Sequence, residues 1–247
     1  MDVRNNTVLI TGGATGIGFA LAEAFVRLGN VVIICGRRED KLREAKEKLP
    51  QIHIRKCDVS KEEERRSLYE WVSSNFKGIN ILVNNAGIQR YVDFKKSPNV
   101  MLDTDDEIEI NLRALVRLSA YFIPIFSKQK ESAIINISSG LGFVPMTIFP
   151  IYSATKAATH SFSMSLRHQL KDTAIRVFEI IPPIVDTELK GPKKQAGDSR
   201  AIQPSEVADS TIKALENNQY EIGIGMAQAF ASGSRSDLDN AFKRING

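Results

Sequence analysis

Tyr152 and Lys156 stand four residues apart in the run Tyr-Ser-Ala-Thr-Lys. On a helix that spacing puts both side chains on one face. A free phenol titrates near about 10 and is a poor base at neutral pH. An ammonium beside it favours the phenolate and lowers that value. Such a tyrosine can give a proton to a carbonyl or take one from an alcohol. Ser138 and Ser139 precede the pair, and a serine hydroxyl can hold the reacting oxygen.

A second group of residues suits a phosphate. The run Thr11-Gly12-Gly13-Ala14-Thr15-Gly16-Ile17-Gly18 follows an apolar stretch and opens a helical pattern. Glycines let backbone approach a pyrophosphate closely, and the helix N-terminus supplies N–H donors. The spacing is Gly-x-x-x-Gly-x-Gly rather than the more common Gly-x-Gly-x-x-Gly. About twenty residues on stands Cys35-Gly36-Arg37-Arg38. A carboxylate there would hold the ribose 2′-OH of NAD, whereas an arginine suits the 2′-phosphate of NADP. Arg37 therefore favours NADP. Asp58, before Val59, offers either an acceptor for an adenine amino group or ordinary loop chemistry. Asn84-Asn85-Ala86-Gly87 follows another apolar run, with Asn84 read as structural support.

The elements that must position these residues alternate in type. Apolar strands are expected at 7–11, 31–35, 52–56, 79–83, 133–137, 175–181 and 220–224, with amphipathic helices between them. That alternation predicts a doubly wound α/β fold, a seven-stranded, mainly parallel sheet with helices on both faces. Ser60 with Glu63 and Thr104 with Glu107 read as capping boxes opening two helices. The second runs to about residue 128, with Pro124 near its end. Helices are also expected at 152–170, from Pro204, and at 237–245. The Lys/Gly/Pro-rich stretch 186–203 reads as a substrate lid. No repeat or linker divides the chain, so 1–247 is read as a single domain.

Composition sets the remaining bounds. The 247 residues carry a net charge of +4, with 43% hydrophobic and 25% charged side chains, which excludes a disordered chain. There is no basic stripe interleaved with aromatics, so nucleic acid is not an expected partner. Cys35 and Cys57 read as reduced core side chains. His53, His160 and His168 have no ligand spacing, so no metal is expected. No membrane span or signal segment is visible, and a cytoplasmic protein is expected.

In order and spacing these motifs resemble the short-chain dehydrogenases/reductases of about this length, over residues 5–225. The resemblance rests on the 11–18 glycine run, Asp58, the 84–87 run, Asn111, Ser139 and the 152–156 run. It selects Ser139, thirteen residues before Tyr152, over Ser138. It implies that Tyr152 is the acid/base and that Lys156 lowers its pKa and holds the nicotinamide ribose. It further implies that Ser139 orients the carbonyl, while Asn111 kinks the long helix and holds a water. It implies cofactor contacts from Gly12, Thr15, Gly16, Ile17, Gly18, Arg37, Asp58, Val59, Asn85, Ala86, Gly87, Tyr152, Lys156, Pro182, Val185 and Thr187. One position departs from the family's Pro-Gly-x-Val-x-Thr: Pro183 replaces the glycine, which fixes φ and removes a donor. The run 182–189 is also similar to a bacterial subgroup associated by name with lipoteichoic acid D-alanylation.

The expected function is NADP-dependent interconversion of a ketone or aldehyde and its alcohol. A cofactor-binding sensor without turnover is the alternative. Only about sixty residues follow Pro183, too few for the substrate domain of a sugar-nucleotide epimerase. Phe143, Val144, Met146, Ile148 and Phe149 suggest an apolar side to the substrate. The family implies a homodimer or homotetramer.

Overall fold

The computed structural model describes residues 1–96, 107–190, 200–233 and 235–246. The Thr104 half of the second expected capping box lies outside them, as do residues 191–199 of the expected lid.

Seven strands form one sheet: β1 (Thr7–Thr11), β2 (Val31–Gly36), β3 (His53–Lys56), β4 (Ile79–Asn84), β5 (Ser132–Ile137), β6 (Ile175–Ile181) and β7 (Glu221–Gly223). Their order is β3-β2-β1-β4-β5-β6-β7, and every pairing is parallel. Strands buried on both faces read as continuous apolar runs, as TVLIT and INILVN do here. Alternate residues of β1 serve opposite layers. Val8 and Ile10 join a core with α1 (Gly16–Arg27), α2 (Glu39–Lys48) and α6 (Pro204–Glu216). Leu9 joins a core with α3 (Glu62–Asn75), α4 (Ala114–Phe126) and α5 (Pro150–Gln169). Phe25, Phe122, Phe126 and Phe178 are fully buried in these layers, each contributing about 1.5–3 kcal/mol relative to exposure.

The order reverses between β1 and β4. In open α/β sheets the crevice beyond the strands' carboxyl ends at such a reversal is where ligands bind. The glycine run leaves β1 there, and the Asn84–Gly87 run leaves β4.

Three local features differ from the sequence expectations. Ser60 does not cap α3. Its N–H and hydroxyl both donate to Asp58 Oδ1, at 3.0 and 2.7 Å, and the helix starts at Glu62 with no side-chain cap. The long helix before β5 carries a π turn at Glu109–Arg113, after which α4 begins at Ala114. A short helix, α7 (Met226–Ser232), precedes the terminal α8 (Arg235–Asn246) and was not anticipated. Its seven residues lie between Gly225 and Gly233 and are too few to show a helical period.

Candidate active site

The glycine turn is shaped by close approach. Gly12 has φ +64°, a region that side chains disfavour. A Cβ on Gly18 would stand 2.4 Å from the Gly12 carbonyl oxygen and 2.5 Å from Asn85 Nδ2. Asn85 staples the turn from below, its Nδ2 donating to the carbonyls of Thr11 (2.9 Å) and Gly12 (3.1 Å). Thr11 Oγ1 accepts from the Asn85 and Ala86 amides, both at 3.0 Å.

A cavity of about 750 Å³ runs from this turn across the strand ends to the N-terminal turns of α5. Gly12, Thr15, Gly16, Ile17, Arg37, Asp58, Val59, Asn85, Ala86 and Gly87 line one part. Ser139, Tyr152, Lys156, Pro182, Val185 and Thr187 line the other. Gly18 and Asn111 stand behind the wall and support it. Arg38 also lines the cavity, bonded to Thr15 Oγ1 and paired with Glu188 at 3.1 Å. Asp58 lines the cavity and holds Ser60, an ordinary loop use.

At the other end, the Ser139 hydroxyl stands beside the Tyr152 phenol and favours its ionised form. Ser139 Oγ also accepts from Leu141 N at 3.2 Å, capping the single 3₁₀ turn Gly140–Gly142. Ser138 instead donates to the Ile180 carbonyl at 3.3 Å, a structural use. Lys156 Nζ lies 5.5 Å from the Tyr152 ring centre and donates to the Ile137 carbonyl at 2.7 Å. Asn111 sits in the π turn and is 1% exposed. Its Oδ1 accepts from Ile88 N, and its Nδ2 donates to Ile88 O and Thr155 Oγ1, at 2.8, 2.9 and 3.2 Å. Extra residues of this kind inside helices are frequent at functional sites.

The Tyr152 phenol is buried. Burial pushes it up to about 12, and the Glu107 carboxylate adds to that rise while the Ser139 hydroxyl opposes it. Burial likewise pulls Lys156 down to about 8, opposed by the Glu179 carboxylate. For both groups desolvation is the leading cause. Asn84 is structural, donating to Ser119 Oγ and Asn136 Oδ1. Cys35 and Cys57 are buried free thiols. A hydrogen bond with Cys57, followed by burial, raises the Cys35 thiol well above its usual range.

Several wall residues escaped the sequence. Met226, Ala227 and Phe230 of α7 and Ile245 of α8 close the apolar end beside Leu141, Met146 and Phe149. The fit is close: a Cβ on Gly140 would stand 3.1 Å from Ala227 Cβ and Phe230 Cδ2. The expected lid is tied at both stems, since Asp186 N donates to Ile202 O and Ile202 N to Ile184 O.

Residues 6–198 match the short chain dehydrogenase family pattern. The chain belongs to the short-chain dehydrogenase/reductase family. Among similar relatives is an uncharacterised oxidoreductase, DltE, of Bacillus subtilis, 47% identical over all of this chain and 98% of the relative. An uncharacterised oxidoreductase of Staphylococcus aureus is 30% identical over 88% of this chain and 94% of its own length. A short-chain dehydrogenase of Burkholderia cenocepacia, solved in complex with NADP, superposes with TM-score 0.84. It is 26% identical and covers 99% of both chains. A serine dehydrogenase complexed with NADP+ gives TM-score 0.78 at 29% identity, over 87% of this chain and 92% of that one. As a short-chain dehydrogenase/reductase this chain is an oxidoreductase. Among the described residues no helix is long and apolar enough to cross a membrane.

Proposed function

We propose that this short-chain dehydrogenase/reductase is NADP-dependent and interconverts a ketone or aldehyde with its alcohol, Tyr152 moving the proton. One observation carries the reading. Tyr152, Ser139 and Lys156 line the same cavity as the glycine turn and Arg37. The residues present fit a dinucleotide. The Gly12 and Gly18 backbone leaves a cradle that a Cβ would fill, and α1 begins directly beyond it at Gly16. Gly12, Thr15, Gly16 and Ile17 would hold the pyrophosphate, Arg37 the 2′-phosphate, Asp58 and Val59 the adenine side. Asn85, Ala86, Gly87, Pro182, Val185, Thr187 and Lys156 would hold the nicotinamide side.

When bound, the nicotinamide supplies or accepts the hydride. The chain's own groups manage the oxygen. With its phenol pushed up to about 12, Tyr152 keeps its proton through the neutral range. It can deliver that proton as negative charge grows on a carbonyl oxygen. Ser139 donates a hydrogen bond to the same oxygen, and the Lys156 ammonium stabilises the developing charge. The reverse reaction returns the proton to Tyr152. Asn111 anchors the Ile88 backbone beside Gly87 and shapes that wall. The apolar end near Met146, Phe149 and Phe230 suits a substrate with a hydrophobic part. The reading takes 1–247 as one Rossmann-type cytoplasmic domain, 186–203 as its lid, and a homodimer or homotetramer as its assembly.

The experiment is consumption of NADPH and of NADH across a broad panel of ketones and aldehydes. We expect at least one apolar carbonyl to be reduced, faster with NADPH. Equal or faster use of NADH would contradict the role of Arg37. Tight cofactor binding with no turnover on any compound would favour a sensor.

A further inference from the structure

A buried charge pair behind α5 has no part in the reading above. Glu179 of β6 is fully buried, and its Oε1 has no hydrogen-bond partner among the described residues. Its Oε2 lies 2.8 Å from His160 Nδ1. A carboxylate taken out of water needs compensating charge. Two basic side chains of α5, one turn apart and on one face, stand near it. One is His160, which the Glu179 hydrogen bond keeps protonated to higher pH than usual. The other is Lys156, whose Nζ donates to the Ile137 carbonyl. Ile137 is the register partner of Ile180, the residue after Glu179.

Glu221 of β7 pairs in register with Glu179, which places two carboxylates side by side on neighbouring strands. Alone, that arrangement is destabilising. Arg167 of α5 stands 3.9 Å from Glu221 and donates to the Val177 and Tyr220 carbonyls. The His160, Glu179 and Glu221 ligand atoms lie within 4.8 Å of one another, a spacing a divalent cation would also accept. His160 and Arg167 already balance the two carboxylates, so the cluster is better described as an ion-pair network.

We infer that Glu179 is a positioning residue for the proposed reaction, its buried carboxylate, clamped by His160, acting as the counter-charge that keeps the Lys156 ammonium charged at the cavity. The inference rests on the reading that Lys156 holds the cofactor. Its electrostatic sense agrees, because Glu179 opposes the fall that burial imposes on Lys156. The other ionisable groups near this line are Tyr152, silent below about 12, and Glu107, which acts on Tyr152. His160, Glu221 and Arg167 complete the set.

The test is NADPH affinity by fluorescence titration from about pH 7 to about pH 10, above the phosphate's own titration near about 6. In the parent protein affinity falls as Lys156 loses its proton, with a midpoint near about 8. In Glu179→Gln the midpoint moves down by about one pH unit, and affinity at pH 8 weakens severalfold. Glu179→Asp, which restores the charge, brings it back toward the parent. If Glu179→Gln does not fold, His160→Gln carries the test. That change keeps the carboxylate but removes the competing cation, and the midpoint moves up. Unchanged midpoints in folded variants would make Glu179 merely structural and overturn the inference. A parent profile that shifts on chelation would assign the cluster to a cation and overturn it too. Lys156→Met separates the two claims: unchanged NADPH affinity there would defeat the reading of Lys156 itself.

Discussion

Around the glycine turn the cavity is shaped by backbone, whereas around Tyr152 it is shaped by buried side chains. On the first side the constraints are a positive φ at Gly12, the missing Cβ of Gly18 and amides at the start of α1. On the second side Asn111 ties Ile88 to Thr155, Asn136 ties Asn84 to Ser163, and Glu179 holds His160. On the proposed function, the difference follows from the ligand each side would meet. A pyrophosphate is well served by N–H groups, which every residue provides once glycine lets the chain approach. A reacting carbonyl needs one phenol and one hydroxyl at fixed positions, and only a rigid polar network supplies that. Two of the network's buried oxygens, Asn84 Oδ1 and Glu179 Oε1, have no hydrogen-bond partner among the described residues, and each such orphan costs about 1–3 kcal/mol.

Four substitutions can break or sharpen this contrast. The largest effect is expected from Tyr152→Phe, which removes one oxygen on the side-chain-built half. Turnover should fall by about 10²–10⁴, with NADPH affinity within about twofold, measured by steady-state rates and fluorescence titration. A loss confined to affinity would move Tyr152 to the binding half. Next, Gly18→Val drives atoms into the Gly12 carbonyl on the backbone-built half. NADPH affinity should fall by more than about tenfold, each factor of ten being about 1.4 kcal/mol. Arg37→Asp tests a side chain on the backbone half. It should cut NADPH affinity by about tenfold and leave NADH affinity unchanged or improved, since a charge-assisted bond contributes about 1.5–3 kcal/mol. Asn136→Ala reaches no ligand. It strips Asn84 and Ser163 of a partner, and melting should drop by a few degrees, about 2–4 °C per kcal/mol for a chain of this size. A melting point equal to the parent's would show that the network is not what holds this half.

The same contrast explains what could be read in advance. The sheet, its parallel sense and seven of the eight described helices follow from apolar runs and periodicity, because strands buried on both faces leave a plain signal. The glycine turn was visible for a related reason: its geometry demands a residue type. Tyr152 and Lys156 were visible through their spacing on one helix, whereas Ser139 was chosen over Ser138 only through the family resemblance. The Glu179–His160 pair was not. Its partners lie on different elements, and a glutamate in a strand carries no sign of what stands above it. The lysine beside Tyr152 was visible in the sequence, whereas the burial that raises the phenol was not. Ser60 looked like a cap until Asp58, two residues earlier, claimed its hydroxyl. The α7 wall was missed because seven residues between glycines show no period.

The central claim is that hydride reaches a carbonyl carbon while Tyr152 supplies the proton to its oxygen. The measurement that tests it most directly uses NADPH carrying deuterium as the transferable hydride at nicotinamide C4, with whichever carbonyl the panel identifies. Product is read by mass spectrometry for the parent protein and for Tyr152→Phe. The account predicts one deuterium on the carbinol carbon with the parent and almost no product with the variant. Solvent hydrogen on that carbon, or equal product from the Tyr152→Phe protein, would contradict it.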